Sequence, residues 1–325
     1  VFYKINAEDE NEGVGLAEEY AIAGYPTFIV ANAEAETISR WWGYDTAEDF
    51  ADTVAEAVAD PVTIVERISR FEAAPTANDA YVLGLYYATR EEGPEAVEYL
   101  TTAMELAPDE GYEYHLYWAT YLGFRKDDYT LDDVKRVADQ VLASPNVESN
   151  EQVEVARLTI RALEDEFPGD AAPYIAAGLA ASEGTDDPEL QEERRKLLVS
   201  EALLVKDDPE LALGLVREGL PEGWEEDAKQ LNGFAWWCFE HEVNLEEAEA
   251  LARKGAELAE DEEQKAQILD TAAELANLRG NQADAVALIQ QAIELDPEND
   301  YYGEQLDKFT GAVAVGAASS GDASE

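Results

Sequence analysis

The chain has 325 residues and a formal net charge of −51, from 73 acidic and 22 basic side chains. So negative a surface repels nucleic acid and anionic membranes, which excludes both as partners. With 46% hydrophobic residues, six Trp and sixteen Tyr, the composition is that of a folded protein of about two domains, not of a disordered acidic chain. The acid is spread along the whole sequence. It reads either as adaptation to high salt or as a surface for a basic partner.

No apolar run reaches the roughly 20 residues that cross a membrane. The chain opens at Val1 without an initiator Met, in what reads as the middle of a strand, Val1-Phe2-Tyr3-Lys4-Ile5-Asn6. It therefore reads as a piece of a longer protein in which any export signal has been lost from view. A short helix around Leu16–Tyr20 follows, then Gly24-Tyr25-Pro26-Thr27-Phe28-Ile29-Val30, whose apolar end predicts a strand. A second strand is expected at Thr37–Trp42, joined to the first by the polar break Asn32–Glu36 as an antiparallel hairpin without a turn glycine. Trp41 and Trp42 must point to opposite faces of it. A helix from about Thr46 to Ala59 follows, with Asp45 or Thr46 as cap and Glu48 or Asp49 in its first turn.

Asp60-Pro61 reads as the start of a further helix, an acidic cap followed by proline at the first helical position, running to about Phe71. Residues 60–76 form a helical linker on this reading, and the domain boundary lies within them. From residue 77 onward nothing reads as strand, and helix patterns alternate with short Gly, Pro and Asp breaks.

Small and large residues recur in those helices. Ala80, Leu83, Gly84 and Tyr87 precede Ala96, Leu100, Ala103 and Pro108. Asn232, Ala235, Trp236 and Phe239 precede Ala248, Ala252 and Gly255. Leu269, Ala272, Ala273, Ala276 and Gly280 precede Ala285, Ile289, Ala292 and Pro297. Ala248 to Ala285 is about one 34-residue repeat with a longer loop. Residues 112–220 look like paired helices that have lost most of these signature positions. After Phe309 the small-residue run of 310–325 reads as a disordered tail.

Two resemblances follow. Residues 77–309 resemble a tetratricopeptide repeat array, an all-α solenoid whose stacked hairpins make a concave surface for a partner segment. Tyr81, Tyr86, Tyr112, Tyr114, Tyr117, Trp118 and Tyr121 are candidates either to line it or to pack between hairpins. Residues 1–59, with Gly-Tyr-Pro-Thr-Phe before a hairpin and helix, resemble the C-terminal half of a thioredoxin-like domain of the protein disulfide isomerase type. That resemblance implies an α/β partial domain and a cis bond before Pro26. It also implies a Cys-x-x-Cys upstream of Val1 that would perform thiol–disulfide exchange. Tyr25, Pro26 and Thr27 would then line half of a peptide groove, Tyr25 through its backbone; the alternative is that Pro26 only shapes a turn. Bacterial relatives of this kind are commonly exported, which points to the cell envelope. A redox-inactive adaptor or scaffold is the competing reading of the whole.

Within the chain itself no catalytic residue is expected. The single cysteine, Cys238, lies among Phe234, Trp236, Trp237 and Phe239, where a thiol is inert. His115 and His241 are not spaced as metal ligands, the acidic runs lack calcium-loop spacing, and no phosphate-cradling loop is present. No cofactor is expected.

Overall fold

The computed structural model describes residues 4–6, 12–44, 46–163 and 167–311, which fold as two compact units divided at 197/198. The expected tail lies outside the described residues from 312 onward, as do 1–3 of the expected opening strand and the candidate cap Asp45. Lys4–Asn6 are exposed and outside the sheet, which corrects the described part of the strand expected over 1–6. Among the described residues the sheet consists of β1 (Thr27–Ala31) and β2 (Thr37–Trp42) alone. It is a small antiparallel ribbon and not a full thioredoxin α/β fold.

The hairpin forms as its sequence predicts. Phe28 pairs with Trp41 and Ile29 with Arg40. Asn32 replaces the missing turn glycine: its Oδ1 accepts from the Glu34 and Glu36 amides at 3.0 and 2.9 Å, and Ala35 takes the left-handed conformation at φ 66°. A short amide side chain that captures nearby N–H groups can stabilise a turn in this way. The ribbon follows α1 (Glu12–Glu19) and precedes α2 (Ala47–Ala59), which Thr46 caps through the Asp49 amide. The two faces of β2 go to different neighbours. Trp41 stacks on Phe28 at 5.5 Å, and Phe50 of α2 closes edge-on at 5.0 Å. On the other face Ile38 and Arg40 are buried.

The next helix, α3 (Ile64–Ala73), begins later than expected. Thr63, not Asp60, is the cap, in a reciprocal box with Glu66 that satisfies two end amides. Asp60 is used differently. Arg67 bonds Asp79 at 2.6 Å, Arg70 bonds Asp79 at 2.9 Å, and Arg70 bonds Asp60 at 2.6 Å. Asp79 belongs to α4 (Ala77–Ala88) and is 1% exposed. Residues 60–76, expected as a linker, are thus clamped to the first helix of the array.

The array in the first unit continues with α5 (Gly93–Leu106), α6 (Glu113–Phe124), α7 (Leu131–Ala143), α8 (Ser149–Leu163) and α9 (Ala172–Ala181); α10 (Pro188–Ser200) spans the division. From α4 to α9, helices adjacent in sequence pack against one another. The small residues explain the close approach. A Cβ at Gly84 would sit 2.5 Å from Leu100 Cγ, and one at Gly178 would sit 2.7 Å from Leu197 Cδ1. Gly178 and Gly123, which meets Tyr129, carry the packing in the stretch where the repeat signature had faded.

The second unit holds α11 (Pro209–Glu218), α12 (Ala228–Glu240), α13 (Leu245–Leu258), α14 (Glu262–Leu278), α15 (Gln282–Leu295) and α16 (Asp300–Thr310). Its core follows the small-residue positions: Ala235, Ala248, Ala252, Ala272, Ala273, Ala276, Ala285, Ile289 and Ala292 are fully buried, with Leu269 nearly so, whereas Asn232 and Phe239 are half-buried and Trp236, expected to pack, is exposed. Among the described residues no helix is long and apolar enough to cross a membrane.

Candidate protein-interaction surface

The loop before β1 brings together the three residues singled out as a substrate-binding turn. The Tyr25–Pro26 bond is cis. Tyr25 is 70% exposed, Pro26 is also exposed, and Thr27 is half-buried. Thr27 Oγ1 donates to the Gly24 carbonyl at 2.6 Å, and the Gly43 amide donates to the Pro26 carbonyl at 3.1 Å. Gly43 adopts φ 82°, a backbone state that favours glycine. The loop is therefore anchored at both ends, with Tyr25 directed to solvent.

Behind the hairpin lies a layer of alternate helices, since α4 packs on α6 and α6 on α8. Trp42 meets Trp118 of α6 edge-on at 6.5 Å. Arg40 donates to the carbonyls of Tyr20, Ala21 (2.7 Å) and Thr89 (2.8 Å), the last at the C-terminal cap of α4. Burial, with Arg90 nearby, lowers this guanidinium to about 10. The chain's own N-terminal hairpin thus occupies part of the aromatic layer that the sequence offers as a groove.

The remaining aromatic candidates divide. Tyr117 and Tyr121 are core, and Tyr117 OH bonds Thr159 at 2.9 Å. Tyr81 stacks on Tyr112 at 4.6 Å and bonds His115 Nε2 at 3.2 Å, while Tyr114 bonds Glu154. Burial pushes His115 down to about 4, so its ring is neutral near pH 7. Tyr86 lies under Arg90 at 5.3 Å.

In the second unit, α12 packs on α14, and α14 meets α16 through side chains. Trp236 on α12, Leu278 on α14 and Tyr301 on α16 are 37%, 37% and 44% exposed. Two carboxylates not singled out among the candidate residues, Asp270 and Glu274, are buried on α14. Their signal was present: charges one turn apart inside the run Leu269–Ala276. Cys238 is fully buried, and burial raises its thiol to about 12, as expected for an inert residue. His241 stacks against Trp237 at 4.6 Å. Among the described residues no group of side chains is arranged to hold a metal ion.

The described residues define a mostly all-α helical-repeat chain that carries a small antiparallel hairpin at its start. No protein-family model and no curated protein match it. Among solved structures, it is similar to a chain of the APC/C hetero-tetramer Cut9–Hcn1, at 13% identity over 75% of this chain with a TM-score of 0.40. The match spans 45% of that chain's length. It is also similar to the TPR2AB domain–pHSP90 complex of yeast Sti1, at 17% identity over 72% of this chain and 96% of that one, with a TM-score of 0.28. Likenesses this distant say nothing of function, and the repeat reading rests on the chain's own helix pairs.

Proposed function

We propose that the chain is a redox-inactive protein-binding adaptor whose helical repeats hold a segment of a partner protein. The observation that carries this reading is the set Trp236, Leu278 and Tyr301: one exposed large apolar residue on each of three alternate helices. Repeat arrays bind extended ligands through exposed side chains on successive repeats. Selection from a displayed peptide library against the full chain tests it. A peptide family should be enriched whose affinity drops about tenfold on Trp236→Ala or Tyr301→Ala. Failure to enrich any family overturns the reading.

The order α1, β1, β2, α2, with the anchored Tyr25–Thr27 loop, favours a second reading. The hairpin would be the C-terminal half of a thioredoxin-like domain in an exported thiol–disulfide exchange protein, and Tyr25, Pro26 and Thr27 would contact its substrate. The chemistry would require a cysteine pair from outside these 325 residues, since Cys238 is the only cysteine. Reading the transcript ahead of the Val1 codon decides it: a Cys-x-x-Cys supports exchange, and its absence removes that reading.

A further inference from the structure

The seam between α14 and α16 has acceptors without donors. Asp270 is 7% exposed; its Oδ2 accepts from Tyr301 OH at 3.4 Å, and its Oδ1 has no hydrogen-bond partner. Gln305, on the other helix, donates through Nε2 to Tyr301 at 2.6 Å and leaves a buried Oε1 without a partner. Glu274, one turn from Asp270, bonds Lys308. Two buried oxygens from two helices, one charged and one neutral, thus flank a single tyrosine hydroxyl. Orphaned acceptors are uncommon because leaving them so is costly. Tyr301 and Lys308, which bond Asp270 and Glu274 across the seam, are 44% and 52% exposed, so a partner segment that displaces them would uncover the two acceptors.

We propose that this seam receives an arginine side chain of a basic partner segment, its guanidinium donating to Asp270 Oδ1 and Gln305 Oε1 beside Glu274. The inference rests on the reading of the array as a partner-binding surface and names the chemistry of the partner. A planar fork of N–H donors can serve two separated acceptors at once, which a point-like ammonium does less well. The net charge of −51 draws a basic segment in and turns an acidic one away. The groups that face Asp270 are Glu274 on its own helix and Tyr301, Tyr302 and Lys308 on α16. Burial and then Glu274 push its carboxyl up to about 6. An arriving guanidinium should therefore expel a proton at pH 6.

The test titrates the full chain with a fluorescein-labelled peptide of alternating glycine and arginine, and with the same peptide carrying citrulline. The arginine peptide should bind, with affinity about tenfold lower for Asp270→Asn and for Gln305→Leu. Glu218→Gln, which removes a charge from exposed surface, should change it by less than about twofold. The citrulline peptide should not bind. Equal losses for Asp270→Asn and Glu218→Gln mean diffuse attraction and overturn the proposal, as does absence of binding. Calorimetry of the unmutated chain at pH 6 in two buffers of different ionisation heat gives a reading independent of variant folding. Proton release supports the site, and binding without it refutes the site. If the displayed library yields families without arginine whose binding ignores Asp270→Asn, this proposal fails while the broader reading stands.

Discussion

Trp42 of β2 meets Trp118 of α6 edge-on at 6.5 Å, which seats the hairpin on the helical array. Each ring is half-buried, and edge-to-face aromatic pairs add about 1 kcal/mol beyond the area they bury. Trp42→Ala should cost about 2 kcal/mol. Amide exchange should accelerate in 27–42 and stay unchanged in 77–106. A double-mutant cycle with Trp118→Ala should return a coupling of about 1 kcal/mol, and a coupling near zero would mean that the seat lies elsewhere.

Asp79 is the second attachment. Asp79→Ala leaves Arg67, itself 2% exposed, without its buried partner, and should cost about 3 kcal/mol in denaturant unfolding. Burial alone would raise the Asp79 carboxyl, but the Arg70 and Arg67 hydrogen bonds and charges outweigh it and hold it low; Asp60 is also lowered, chiefly by its hydrogen bond to Arg70. Folded values below the ordinary 3.8 mean that the cluster stabilises fully above that pH. The contribution is lost as pH falls further through the depressed folded values. Acid titration of unfolding should show this step in the unmutated chain and a smaller one, from Asp60 alone, in Asp79→Ala.

Asp270 has the opposite sign. Its folded value of about 6 lies above the ordinary 3.8, so stability is present below pH 4 and lost as pH rises through 6. Asp270→Asn removes that loss and should stabilise the second unit by roughly 2 kcal/mol at pH 7 and little at pH 4. Thermal unfolding at the two pH values checks it. A gain in stability that accompanies a loss of binding is the pattern of a residue kept for function.

Two glycines should respond in opposite directions. Gly84→Ala forces a Cβ onto Leu100, 2.5 Å from Cγ and 3.3 Å from the backbone nitrogen, and should cost about 2 kcal/mol. Gly233→Ala, inside α12 with nothing within 4 Å of the new Cβ, should stabilise by up to about 1 kcal/mol through helix propensity. Urea midpoints distinguish the two.

Cys238 should stay unmodified by a water-soluble disulfide reagent in the native chain and react fully in denaturant. Burial raises the thiol to about 12 and withholds the reactive thiolate. Labelling at the native rate of a model thiol would contradict its burial.

The repeats were legible because Ala, Leu and Gly at fixed spacing report how closely two helices approach. The hairpin was legible from two short apolar runs on either side of a polar break, and Thr46, one of two candidate caps, from ordinary capping chemistry. The cap at Thr63 was hidden by Asp60-Pro61, a convincing start signal whose carboxylate the fold uses to hold Arg70 instead. The clamp from Arg40 to Thr89 and the seam between Asp270 and Tyr301 join residues far apart in sequence, and local pattern carries no record of such partners. What the sequence did offer at both places was a charge among apolar neighbours, the conflict between local and global preference that marks attachment points and sites.

Arg40 draws its three carbonyl acceptors from positions 20, 21 and 89. During synthesis the hairpin leaves the ribosome before the last of these has been made, since domains form as the chain emerges from its N-terminal end. The ribbon must wait for α4 to close before its guanidinium is fully held. Docking of the N-terminal piece is thus a late event for an early segment, timed by how fast the first repeat hairpin completes.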